Sequence, residues 1–269
     1  MKSIAQSIGK DVPRFPDNED AWRADDEAGF WAVADGAGGG GIYAAEWARY
    51  LVDNVPPEPF TDIDALSHWL GQIWEPFYSQ FSGPAQADAV KAYKWAQEGS
   101  YATLATLHRL GDTFHWATYG DAVVLAFNPH TARLQTSVPD LRLFSHPPHL
   151  LNWNADPVAA GFRAGQWTHE PGQTYALLSD TLALCVLMAW HTHTGSTDVL
   201  RELASQPTAL GQRAANWLLR GCADFVADVW QPLSTGLTNQ RFFQACTRNG
   251  HKKSLLGPDD YTMILIQEP

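Results

Sequence analysis

Residues 30–47 read Phe30-Trp31-Ala32-Val33-Ala34-Asp35-Gly36-Ala37-Gly38-Gly39-Gly40-Gly41-Ile42-Tyr43-Ala44-Ala45-Glu46-Trp47. An apolar run stops at a carboxylate, and five glycines follow within six positions. Such a run bounded by glycine predicts a buried strand ending at Asp35. The glycines predict a sharp turn, or backbone lying close to a ligand. A helix starting at Ile42 would leave free N–H groups near Asp35, a usual place for anions. A glycine-rich turn with one capping aspartate explains the same residues, and the stretch alone leaves both readings open.

Other acidic positions fall at the ends of readable elements: Glu19 with Asp20, then Asp121, Asp180 and the pair Asp259-Asp260. Acidic side chains are rarely buried unless paired or bound to metal. Gathered together these would repel one another, and hard divalent cations would remove the repulsion.

Composition narrows the classes. The chain has 269 residues, 45% of them hydrophobic, which suits a sizeable core. A formal net charge of −11 argues against a nucleic-acid partner, which needs a basic footprint. Cys185, Cys222 and Cys246 are far apart and odd in number, so neither a disulfide framework nor a cysteine metal site is expected. Residues 1–13 lack the apolar block of a signal peptide, and the longest apolar stretch, 182–190, is too short to span a membrane. The expectation is a soluble, cytoplasmic protein.

Taken in order, residues 1–12 suggest a first edge strand and 13–20 a loop. A strand at 21–23, a turn at 25–29 and the strand at 30–34 form a hairpin, which would set Glu19 and Asp20 beside Asp35. Helices are expected at 42–51, 62–78 and 85–97. Residues 101–110, 113–119 and 122–128 read as an antiparallel meander with Gly120-Asp121 in its second turn. Residues 134–167 carry four prolines and scattered histidines without zinc spacing, and read as a long loop or flap. A strand at 173–179 ends at Asp180. Helices follow at 181–191, 196–205, 209–230 (with a break allowed near Gly221) and 238–246, then a basic loop at 248–253. The nearly all-apolar run 261–266 is the closing strand, buried on both faces. No linker is visible, so residues 1–269 are expected to form a single domain.

The order Asn18-Glu19-Asp20, Asp35-Gly36-Ala37-Gly38-Gly39, Gly120-Asp121, Ser179-Asp180 and Asp259-Asp260-Tyr261-Thr262 resembles the metal-dependent protein phosphatases, the PP2C-type serine/threonine phosphatases. The resemblance runs from residue 13 to 266. It implies an α+β fold, a four-layer α-β-β-α sandwich of two antiparallel sheets flanked by helices. It implies two Mn²⁺ or Mg²⁺ ions. Asp35 would bridge them, Glu19 and the Gly36 carbonyl would hold one, and Asp180 and Asp259 the other. Asp20 would orient water, and Asp121 would belong to a third, weaker metal site. Arg14 would bind the substrate phosphate, although it stands six residues before Asp20 where the family has five, and Phe15 occupies the family's place. Further departures are Ala122, Thr181 and Asp260, where the family has Ser, Gly and Asn, and Ala37, where some members have His.

The implied chemistry suits these residue types, because Mg²⁺ and Mn²⁺ prefer oxygen ligands. A metal-bridging hydroxide would attack phosphorus in line, with no phosphoenzyme. The expected function is hydrolysis of phosphoserine or phosphothreonine in a phosphorylated protein substrate. The alternatives are a catalytically weak member acting as a binding or regulatory module, and a hydrolase of a small phosphorylated compound. No nucleic-acid or membrane partner is expected, and a monomer is the default.

Overall fold

The computed structural model describes residues 1–10, 18–39 and 41–268. The strands are β1 (Lys2–Ile8), β2 (Ala21–Asp25), β3 (Phe30–Ala34), β4 (Tyr101–Ala102), β5 (Leu104–Leu110), β6 (Thr113–Tyr119), β7 (Val123–Asn128), β8 (Arg133–Thr136), β9 (Leu151–Asn152), β10 (Phe162–Thr168), β11 (Thr174–Leu178) and β12 (Tyr261–Gln267). The α-helices are α1 (Ala44–Asn54), α2 (Ile63–Gln86), α3 (Ala89–Gln97), α4 (Asp180–Thr194), α5 (Asp198–Ala204), α6 (Ala209–Arg220), α7 (Gln231–Leu237) and α8 (Gln240–Lys252).

Two five-stranded sheets carry the fold, one ordered β1-β12-β11-β7-β8 and the other β10-β6-β5-β3-β2, with every pairing antiparallel. The apolar strands are legible as two-sided because successive side chains point to opposite faces. Trp31 and Val33 of β3 meet Val124, Tyr175, Leu177, Ile264 and Ile266 between the sheets. Phe30, Ala32 and Ala34 point the other way, onto Trp47, Leu51 and Phe77 of α1 and α2. Met263 and Leu265 of β12 likewise pack on the second helical layer, with Leu182, Val186 and Trp217. The result is the expected α-β-β-α sandwich. Each buried large apolar side chain stabilises it by about 1.5–3 kcal/mol, so the core between the sheets holds the strand ends firmly even where charges collect on them.

Several boundaries differ from the sequence expectation. Residues 113–128 are not a meander, because β6 and β7 belong to different sheets and the chain crosses between them at Gly120-Asp121. Gly120 makes the crossing at φ +88°, where a Cβ would lie 2.7 Å from the His149 carbonyl oxygen and 2.8 Å from Thr103 Cγ2. The expected flap at 134–167 is shorter, since β10 pairs with β6 along all seven of its residues. Its edge position leaves it half-exposed, and Gly165 and Gln166 dilute the alternation that marks a strand.

Helix α2 runs through Pro76 and Pro84 to Gln86, past the expected stop at 78, and Asp62 caps it by accepting from the Ala65 N–H at 2.8 Å. The expected helix 209–230 does break at Gly221, with φ 68°, and its second part includes a π-helical turn at Val226–Trp230. Helix α8 continues through most of the expected basic loop and ends at Lys252. Strand β1 is an edge strand and β12 lies between β1 and β11, as expected. Among the described residues no helix is long and apolar enough to cross a membrane.

Candidate active site

Strand register brings the acidic residues to one end of the sandwich. Ala21 pairs with Ala34, so Asp20 precedes one strand where Asp35 follows its neighbour. Leu178 pairs with Val123 on one side and Met263 on the other. Asp121, Asp180 and Asp259 therefore flank the same end of β7, β11 and β12. The Asp35 carbonyl accepts from the Thr103 N–H at 2.8 Å, and the Gly36 N–H donates to the Glu19 carbonyl at 3.2 Å. The two motifs nearest the N-terminus are thus laced to each other and to the β4–β5 strand.

The glycines have a steric reason. A Cβ on Gly36 would lie 2.6 Å from the Glu19 carbonyl oxygen and 2.7 Å from that of Ala44. A Cβ on Gly38 would collide with the Glu19 carboxylate itself. The glycine run does not feed a helix directly at Asp35, since α1 begins at Ala44 after Tyr43 in a left-handed conformation, φ 58°. The helix whose first turn carries a site carboxylate is α4, where Asp180 accepts from the Thr181 N–H. Thr181 has ordinary helical backbone, so the glycine of the family pattern is not needed there.

The carboxylates raise one another's affinity for protons. Asp20 is 7% exposed, and neither of its oxygens has a hydrogen-bond partner among the described residues. Burial, then the charges of Asp260 and Asp180, push it up to about 8, against the opposing pull of the Thr262 and Ser179 hydroxyls. The Thr262 hydroxyl also meets that of Ser7 at 2.6 Å, and the Ser179 oxygen accepts from the Thr262 N–H at 3.0 Å. Asp35 is held well above the carboxylate range by burial and by Asp20, Asp180, Asp121 and Asp259. Asp121 is pushed up to about 7 by burial and Asp180, with Arg163 opposing. Asp180 reaches about 6 through burial and Asp259. Asp259 is also raised, chiefly by burial.

Carboxylates that repel one another, one of them buried with neither oxygen partnered, suit a hard divalent cation. The donor chemistry therefore fits Mn²⁺ or Mg²⁺. Among the described residues, no three Asp, Glu, His or Cys side chains close round a point as a finished cage. One reason is visible at Glu19, whose Oε2 lies 3.2 Å from Lys10 Nζ.

Arg14 lies outside the described residues. Three residues that sequence reading did not assign to the site, Lys10, Arg163 and Arg213, stand beside it with Asp260, which that reading took as an added charge there. Lys10 touches Glu19, Asp259 and Asp260. Asp260, 3% exposed, accepts from the Lys10 N–H at 2.7 Å and from the Glu19 N–H at 2.8 Å, one on each oxygen. An asparagine would turn its NH2, which only donates, toward one of these two N–H groups. Arg163 donates to the Gly120 carbonyl and faces Asp121, while Arg213 favours the charged forms of Asp180 and Asp259. Pairing of β1 with β12 hints at Lys10, but Arg163 was hidden in a strand read as loop.

A cavity of about 280 Å³ opens beside Asp121, lined among others by Phe144, His146, His149 and Arg163. A larger one, about 410 Å³, is lined by Gln244, Arg248, His251 and Lys252, and none of the five site aspartates lines it.

With this architecture in view, the solved structures that share it are informative. The catalytic domain of the serine/threonine protein phosphatase PstP, in complex with two manganese ions, superposes with a TM-score of 0.53 at 17% identity, over 99% of this chain and 97% of that one. The chain has the PP2C-type phosphatase fold. PppA, a key regulatory component of T6SS in Pseudomonas aeruginosa, gives 0.51 at 20% identity over 99% and 96% of the two chains. The serine/threonine phosphatase Stp1 from Staphylococcus aureus gives 0.50 at 14% over 98% and 94%. No protein-family model matches the chain, and neither does any curated protein. At these identities the likeness of this PP2C-like chain to its neighbours is one of fold.

The raised carboxylates set a pH dependence for the metal-free protein. Their folded-state values exceed the ordinary one near 4, so the folded state binds more protons than the unfolded. That stability is fully present below pH 4 and is lost as pH rises through about 6, 7 and 8, the values for Asp180, Asp121 and Asp20. With chelator present, the melting temperature is expected to fall by about 5 °C or more between pH 5 and 8. Thermal melts in EDTA across that range check it, and a flat or rising profile would contradict it.

Proposed function

We propose that the chain is a metal-dependent phosphatase of phosphoserine and phosphothreonine in proteins, acting in the cytoplasm as a monomer. The observation that carries the reading is the mutually repelling set Asp20, Asp35, Asp121, Asp180 and Asp259 at one end of a PP2C-type sandwich, with Asp20 buried and the others half-buried. Glu19 with the Gly36 carbonyl would hold one Mn²⁺ or Mg²⁺ and Asp180 with Asp259 a second. Asp35 would be shared between them, and Asp121 would serve a weaker third site. When bound, such ions acidify water and neutralise phosphoryl oxygens. Asp20, with both oxygens unpartnered, would orient water in the cleft. The manganese ions of PstP support this reading, since that protein shares the fold.

Hydrolysis of p-nitrophenyl phosphate and of a phosphothreonine peptide tests it. Turnover should require Mn²⁺ and stop with EDTA, and the peptide should be the better substrate. Preference for a small phosphorylated metabolite over the peptide would move the assignment to the small-compound alternative.

A regulatory reading has its own support: a lysine already sits among the proposed ligands, and a neighbour of the same fold is named as a regulatory component. Metal binding without turnover would favour it.

Arg14 is the residue this reading assigns to the substrate phosphate. Arg14→Ala is expected to raise KM for the phosphopeptide by about tenfold or more while leaving Mn²⁺ affinity unchanged, as an arginine–phosphate contact is charge-assisted. Steady-state kinetics on the variant check it, and an unchanged KM would leave Arg14 an ordinary surface charge.

A further inference from the structure

Resting on the metal-site reading above, we propose that Lys10 is a resident cation that competes with divalent metal for Glu19 and Asp259. Its ammonium lies 3.2 Å from Glu19 Oε2, 3.8 Å from Asp259 Oδ1 and 3.9 Å from Asp260 Oδ2. Glu19 and Asp259 are proposed ligands of different ions, so one side chain reaches both halves of the site.

The position of Lys10 is built in. Register between β1 and β12 runs to Ile8 opposite Tyr261, and the next residues of the first strand continue toward Asp260 and Asp259. The Lys10 backbone N–H is tied to Asp260 Oδ1 at 2.7 Å, and only 16% of the side chain is exposed. A charge held there is screened less by salt than a surface lysine.

The charge balance agrees. Asp260 adds a carboxylate beside Asp259, and the Lys10 ammonium offsets it. The Glu19 carboxylate is clasped between Lys10 and Gly38, so a metal recruiting its Oε2 has to displace the ammonium. The unpartnered oxygens of buried Asp20 stand in the same cluster. The metal-free site is thus partly neutralised by the protein itself, and its affinity for divalent cations is set below that of the bare carboxylates.

The test is calorimetric titration of Mn²⁺ into EDTA-stripped parent, Lys10→Met and Lys10→Arg proteins, each first shown to melt cooperatively. Met keeps the apolar stem and removes the charge, whereas Arg keeps the charge. Lys10→Met is expected to bind Mn²⁺ about tenfold tighter than the parent at low salt, with the gap narrowing at high salt, and Lys10→Arg to stay close to the parent. Binding by Lys10→Met where the parent shows none would support the proposal equally. Equal or weaker binding by Lys10→Met, beside a parent that binds, would overturn the competition and leave the metal site standing. No binding by either protein at millimolar Mn²⁺ would overturn both.

Discussion

Asp35→Asn is expected to lower turnover by about a thousandfold or more and to weaken Mn²⁺ binding, while raising the melting temperature of the chelated protein. Asp20, Asp180, Asp121 and Asp259 all raise the proton affinity of Asp35, after burial. As the proposed shared ligand, it would face two dications, and a neutral amide of the same shape cannot offset their charge. In the metal-free protein the sign reverses. Removing one member of a mutually repelling set relieves the others, so the apo variant should melt about 2 °C or more above the parent. Mn²⁺ should raise the parent's melting temperature by mass action and the variant's far less. Paired melts in EDTA and in Mn²⁺, beside the hydrolysis assay, read all three effects. A variant that keeps full turnover, or that melts lower in EDTA, would contradict the role given to Asp35.

Gly36→Ala should destabilise the fold by about 3 kcal/mol, irrespective of metal. The added Cβ would meet two carbonyl oxygens, those of Glu19 at 2.6 Å and Ala44 at 2.7 Å. Both belong to backbone, and neither can swing aside as a long side chain would. The Gly36 N–H is itself bound to the Glu19 carbonyl, so relief of the clash breaks that bond or shifts the Asn18–Asp20 segment. Overpacking of this kind costs about 1–3 kcal/mol, and a lost buried hydrogen bond adds to it. Urea unfolding in EDTA separates this from any metal effect. A variant within about 1 kcal/mol of the parent would show that the segment yields more easily than its packing implies.

How much of this was legible differs by element. The run 30–34 announced a strand because both its faces are apolar, and both are buried in the two layers it separates. The closing strand was legible for the same reason. Glu19, Asp20, Asp35, Asp180 and Asp259 were legible as site candidates because strand ends carry them, and register then delivers Asp20, Asp35, Asp180 and Asp259 to one end of the sandwich. The sheet crossing at Gly120-Asp121 was not legible, since a glycine-aspartate turn looks the same whether the next strand pairs with its predecessor or leaves for another sheet. Strand β10 was missed because an edge strand needs no apolar alternation, and Arg163 was missed with it. Lys10 could not be placed from local pattern at all. It reaches the site through pairing with a strand some 250 residues later.

The most direct measurement of the central claim is a calorimetric titration of Mn²⁺ into the EDTA-stripped parent protein at neutral pH. A site assembled from Glu19, Asp35, Asp180 and Asp259 predicts saturable binding of two ions per chain, with release of protons from the carboxylates whose affinity burial has raised. Absence of binding at millimolar Mn²⁺ in the folded parent, and equally in Lys10→Met, would contradict the two-metal account, whatever the sandwich shares with the phosphatases of the same fold.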